Sequence, residues 1–191
     1  FYDLCAFIAP VRRRVAEWLA VNDFDAMRRQ LVALLHGWSD VTTADARLQA
    51  FVAAVATHKR HRWARDLAAE VLHFTAPQHY PLMTRWIWDA RTGTGVLREL
   101  WYADDVDRAR IEAADDYATL QQLRDELTGF LADNGIFRDV DYYVDLLCAH
   151  VYAFYINDRG GQYLQSDFAR SAVDPMAHTR RLLGLDAIDT E

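Results

Sequence analysis

The chain has 191 residues, 52% of them apolar, and a formal charge of −7, the size and balance of one globular domain with its own core. No apolar run reaches the roughly 18 residues that would cross a bilayer, and the opening residues show no basic-then-apolar leader pattern. A net acidic charge works against a partner held by its phosphate backbone, although a local basic patch is compatible with it, so a soluble protein that binds neither membrane nor nucleic acid is expected.

Two cysteines, Cys5 and Cys148, belong to no CxxC pair. That spacing argues against a disulfide framework or a thiolate zinc site and for a reducing cytoplasm. Of 21 basic residues only Lys59 is a lysine, which with the abundance of alanine reads as the codon bias of a GC-rich bacterial genome.

Apolar residues recur at helical spacing almost everywhere, and no stretch alternates as a half-buried strand would. The prediction is an all-α, single-domain orthogonal bundle of about seven to nine helices over residues 1–191. A first helix is predicted from Pro10, with Val11, Val15, Trp18 and Leu19 as its buried stripe. Asn22 and Asp23 stop it, and a second helix then runs to Gly37. Thr42 or Thr43 caps a third along Leu48, Phe51, Val52 and Val55. The basic run "HKRHRWAR" leads into a fourth through Trp63, Leu67, Val71 and Phe74, which Pro77 ends.

Residues 80 to 90 are expected to form a short helix opened by Pro81, and "RTGTG" a loop. From Val96 the helical rhythm resumes, with acids at Asp104, Asp105 and Asp107 suited to a first turn. A long helix carries Leu120, Leu123, Leu127, Phe130 and Leu131 to Gly135. Another carries Tyr143, Leu147, Val151 and Phe154 to an "NDRGG" turn, and "DPMAHTRRLLG" has the Asp cap, first-position Pro and closing Gly of a final short helix. The predicted core includes Leu34, Phe51, Leu67, Val71, Leu127, Leu147 and Val151.

The stretch "EVLHFTAPQHYPLMTRWIW" joins an apolar helix to a Pro-x-x-x-Pro corner. As a corner, it should turn Phe74, Tyr80, Leu82 and Trp86 inward and leave Gln78 and Arg85 in water. In its wording this stretch also resembles a segment of the helix-hairpin-helix DNA glycosylase superfamily, where an apolar helix is followed by an aromatic residue, a Pro, two variable residues and an Asp. In that family the Asp assists departure of the base, and a hairpin with two close glycines approaches a DNA phosphate. Here Met83 or Thr84 stands at the place of the acid, and "RWARDLAAEV" has no glycine. The resemblance implies a shared helical framework without glycosylase activity.

Several patterns mark candidate sites. Glu70 and His73, at i and i+3, have the spacing that carboxylate-bridged metal bundles use, and His79 across the corner is a possible third ligand. The alternative is a surface Glu and a His capping its helix. Arg91, Thr92, Gly93, Thr94 and Gly95 precede a helix, so their N–H groups could hold an anion, or the loop could be a plain connector. The run His58, Lys59, Arg60, His61, Arg62 and Arg65 reads as a solvated helix start, or as a patch for an acidic partner or a nucleic acid. Tyr142, Tyr143, His150, Tyr152 and Tyr155 give an aromatic density fit for a ligand pocket, with Tyr152 and Tyr155 the candidate contacts, or for core packing. Cys148 and His150, two apart on a helix, point to different faces and make a poor nucleophile pair.

Two functional readings follow. One is a non-catalytic binding or accessory protein that holds a protein partner, or a second copy of itself, through an aromatic surface or groove. The other is a small-molecule or metal-binding enzyme or sensor with its site at Glu70, His73 and His79. The absence of a complete catalytic set favours the first, and no cofactor is expected beyond that candidate metal.

Overall fold

The computed structural model describes residues 1–101, 110–164 and 175–187, with the backbone alone described at 157–164 and 175. Over these residues the chain is all-α, as the periodicity predicts: nine α-helices, three short 3-10 turns and no sheet. The helices are α1 (Tyr2–Ala6), α2 (Val15–Leu19), α3 (Phe24–Leu35), α4 (Ala44–Val55), α5 (Trp63–Thr75), α6 (Val96–Leu100), α7 (Tyr117–Asp133), α8 (Val140–Leu164) and α9 (Pro175–Leu182). The predicted acidic turn at Asp104, Asp105 and Asp107 and the Asp174 cap lie outside the described residues. No helix among the described residues is long and apolar enough to cross a membrane.

Local chemistry sets several boundaries. The Asp23 carboxylate accepts the N–H of Ala26 and caps α3, and Asp116 accepts that of Thr119 and caps α7. Helix α1 has five residues, too few to show a period, and is absent from the sequence prediction. Helices α3, α4 and α5 pack on one another, and α8 packs against α6, α7 and α9; the segment after Pro77 touches both groups, through Tyr80 to Arg47 of α4, the His79 carbonyl to Tyr117 of α7, and Trp86 to Tyr152 of α8. One contiguous core runs through both, with Trp88, Tyr80, Phe51 and Met27 among its largest enclosed side chains. Leu34, Phe51, Leu67 and Leu127 lie in it as predicted, whereas Val71, Leu147 and Val151 are half-buried at its edge.

The structure corrects three local expectations. Residues 80 to 90 form no helix, because tertiary partners take their backbone groups: Asp66 accepts the N–H of Arg85, and the carbonyls of Trp86 and Ile87 accept the N–H groups of Val96 and Leu97. Helix α8 continues through "NDRGG" to Leu164; glycine weakens a helix by only about 1 kcal/mol per residue and does not forbid it. Its buried face is also shifted by one position. Val144, Asp145, Cys148, Ala149 and Ala153 turn inward, while Tyr143 and Phe154 are exposed. Alanines at 149 and 153 allow close approach there, and the shift carries Asp145 into the interior.

Close backbone approach fixes two glycines. A Cβ at Gly95 would lie 2.6 Å from the Ile87 carbonyl oxygen, at a φ of 133° that L side chains rarely adopt. Gly95→Ala should therefore lower unfolding stability by roughly 2 to 4 kcal/mol in a urea titration, combining backbone strain with steric overlap. At Gly184 a Cβ would fall 2.1 Å from the Phe7 carbonyl oxygen. Beside it Arg12 holds Asp186 with two hydrogen bonds of 3.1 and 2.9 Å, so the first twelve residues are fastened to the segment after α9.

Candidate functional site

Helix α5 buries polar side chains beside the apolar Trp63, Leu67 and Leu72. Asp66, Glu70 and His73 recur at i, i+4 and i+7, so they share one face, and all three are buried. The apolar Phe74, expected at the core, is instead 59% exposed, and Val71 is only half-buried. Tyr80, Leu82 and Trp86 do turn inward and Gln78 does face water. Arg85 departs from its predicted solvent position to hold Asp66.

Distant partners keep the polar face inside. Asp66 accepts from the Arg85 backbone N–H at 3.0 Å and from the Arg85 guanidinium, with Nε to Oδ2 at 3.0 Å. His73 lies between the Tyr80 carbonyl, 2.8 Å from Nδ1, and Asp145 Oδ2, 2.8 Å from Nε2. A carbonyl oxygen can only accept, so Nδ1–H donates to it, and Nε2 lies against the Asp145 carboxylate. A buried pair joined in this way fixes the corner to α8.

Glu70 is the exception on this face. It is 6% exposed and makes no hydrogen bond or ion pair with a described residue. Burial first, then the carboxylates of Asp66 and Asp145, push its carboxyl up to about 8, so that it is neutral at pH 7. Beyond it a groove of about 410 Å³ opens between α1 and α5, lined by Leu4, Phe7, Ile8, Val71, Phe74 and Leu183 together with Glu70 and Thr75. Leu4, Phe7 and Phe74 stand exposed at its edges.

The other candidate groups sit as follows. Glu70 and His73 are neighbours on α5, but His79 turns its ring edge-on to Trp38, 5.3 Å between centroids, with its Nδ1 buried and without a hydrogen-bond partner. Among the described residues no three His, Cys, Asp or Glu side chains gather in an arrangement able to hold a metal, and both His73 nitrogens are engaged. In the "RTGTG" loop the N–H groups of Thr92, Gly93 and Thr94 point back to the Asp89 carbonyl, and Thr92 N–H also reaches the Asp89 carboxylate. That carboxylate, held by Arg62 at 2.6 Å, occupies the place an external anion would take. Arg91 is exposed, and Gly95 is buried against Ile87.

Tyr152 packs on Trp86 and Tyr155, 5.8 Å between centroids in each case, while Tyr142 and Tyr143 are exposed. Burial, more than its neighbours Tyr155, Asp66 and Asp89, pushes the Tyr152 hydroxyl above its ordinary value. The Cys148 thiol is pushed up to about 12 by burial and by Asp145, so at neutral pH it is not the thiolate a nucleophile requires. Of the basic run, His58, Lys59 and Arg60 are exposed, but His61 is buried, Arg62 binds Asp89 and Arg65 binds Asp115. Met83 and Thr84, at the place of the glycosylase acid, are buried. With a formal charge of −7 and the basic run partly committed to acids, filter binding should show only weak, salt-sensitive nucleic-acid affinity, poorer than about micromolar at physiological salt.

Sequence reasoning missed Asp66, Arg85 and Asp145. Asp66 could have been found, since it extends the Glu70–His73 face by one turn; Arg85 and Asp145 join it only through the tertiary fold. No protein-family model, curated protein or solved structure matches this chain.

Proposed function

We propose that the chain is a non-catalytic helical binding protein and that it binds its ligand in the groove between α1 and α5. One observation carries the reading: α5 buries its polar face and leaves Val71 and Phe74 to line an open, apolar groove with an unpartnered carboxyl at its base. Departures from binary patterning are expected at functional sites, because stability alone would place Phe74 inside and Glu70 outside. The volume lies in the range of small-molecule sites, whereas a protein partner would need a broader surface. Cys148, the nucleophile weighed in the sequence, is sealed and unionised.

The uncharged dye Nile red tests this reading. Its fluorescence should rise saturably with one dye per chain, and Val71→Trp, which fills the groove from its half-buried wall, should weaken binding at least about tenfold while the melt stays within a few degrees of the parent. Unsaturable dye uptake, or equal binding by Val71→Trp, would show that the groove is not the site.

A further inference from the structure

Resting on the groove as the binding site, we infer that its ligand is a hydrophobic amine: an apolar, aromatic or alkyl body in the groove with an ammonium group against the Glu70 carboxylate. The lining is apolar except for Glu70 and Thr75. Two features assign the sign of the polar end.

Glu70 is enclosed yet without a hydrogen bond or ion pair, although the two other acids near it are satisfied: Asp66 by Arg85, and Asp145 by His73. The Glu70 oxygens are not among the sealed, unpartnered polar atoms, so the carboxyl is reached from the groove, and the protein offers it no counterpart there. The neighbours that act on Glu70 are themselves carboxylates, Asp66 on its own helix and Asp145 on α8. Arg85 and His73 are each committed to one of those acids, and the α1 residues and Leu183 bring only apolar side chains to the lining. Asp66 and Asp145 already have Arg85 and His73, so at a pH where Glu70 is ionised a ligand carboxylate would face its unpaired charge and an alcohol would leave that charge uncompensated. An ammonium supplies the missing positive charge and donors for the Glu70 oxygens. The apolar walls, including Phe7 and Phe74, select the body, and Glu70 selects the head.

Displacement of Nile red at pH 8.5 tests the assignment, with three ligands that share one body: 4-phenylbutylamine, 4-phenylbutan-1-ol and 4-phenylbutyrate. That pH lies above the Glu70 value and below the ordinary value of an alkyl amine, roughly 10.4. The amine should bind roughly tenfold to a hundredfold more tightly than the alcohol, the span of a charge-assisted hydrogen bond, and the carboxylate most weakly. In Glu70→Gln, which keeps the shape and removes the charge, amine and alcohol should bind within about threefold of each other.

A carboxylate that competes as well as the amine, or an amine preference that survives Glu70→Gln, overturns the inference. Should the variant fail to fold, the order of the three ligands on the parent decides alone. If Nile red binds and Val71→Trp blocks it, but all three ligands compete equally or none competes, the amine assignment is wrong and the groove still stands as a site. If Nile red itself does not bind there, the groove reading fails first.

Discussion

Replacing Glu70 by Gln should stabilise the protein at pH 8 by roughly 3 to 5 kcal/mol while changing it little at pH 5. The carboxyl sits at about 8 in the fold and at 4.5 in the unfolded chain. Below 4.5 both states hold the proton, and the fold has its full stability. Between 4.5 and 8 the unfolded chain releases the proton and the fold retains it, so stability falls by up to about 1.4 kcal/mol per pH unit. Above 8 both states are ionised and the loss levels off. Glutamine does not titrate, so this downward slope is missing from the variant. Urea midpoints of the two proteins at pH 5, 6, 7 and 8 measure it directly. Parallel profiles would mean that Glu70 is solvated in the groove and carries no such burden.

The second large effect concerns neighbouring residues whose roles reverse the sequence expectation. His73→Ala should destabilise the fold by roughly 3 to 5 kcal/mol, because it removes the donor to the Tyr80 carbonyl and leaves Asp145 buried without its partner. Phe74→Ala should change stability by less than about 1 kcal/mol, since the ring stands largely in solvent at the groove edge. Thermal melts rank the two, and a chelator should leave both the parent melt and this ranking unchanged because both His73 nitrogens are engaged. A Phe74→Ala loss larger than that of His73→Ala would place Phe74 back in the core and undo the account of a buried polar face on α5.

The helical class was legible because Val15, Trp18, Leu34, Phe51, Leu67, Leu120 and Leu127 repeat at helical spacing and do face the core. Asp23 and Asp116 show that caps are local events, though only the first was read from the sequence. The site was less legible for a physical reason. Spacing reveals which side chains share a face, as with Glu70 and His73, but only the fold decides which face turns inward. On α5 that decision depends on Arg85, Tyr80 and Asp145, the last of them 72 positions from His73. The shifted face of α8 has the same origin, since Asp145 has no reason to be buried until His73 meets it. The corner "APQHYP" read as a joint between two helices. Its following segment is irregular because its N–H and C=O groups find partners on α5 and α6, which no local pattern encodes.

The attachment of Phe7 to Gly184 and of Arg12 to Asp186 bears on the order in which the molecule is completed. One wall of the groove comes from α1, yet its fastening comes from residues 174 positions later in the chain. Closing so long a loop is entropically unfavourable until the intervening helices have packed. During synthesis the α1 segment therefore emerges well before its fastening and docks after it, and the core of α3, α4 and α5 can assemble while the groove is still open. Nascent chains halted before Leu183 should accordingly show the helical content of the interior with the groove between α1 and α5 still unformed.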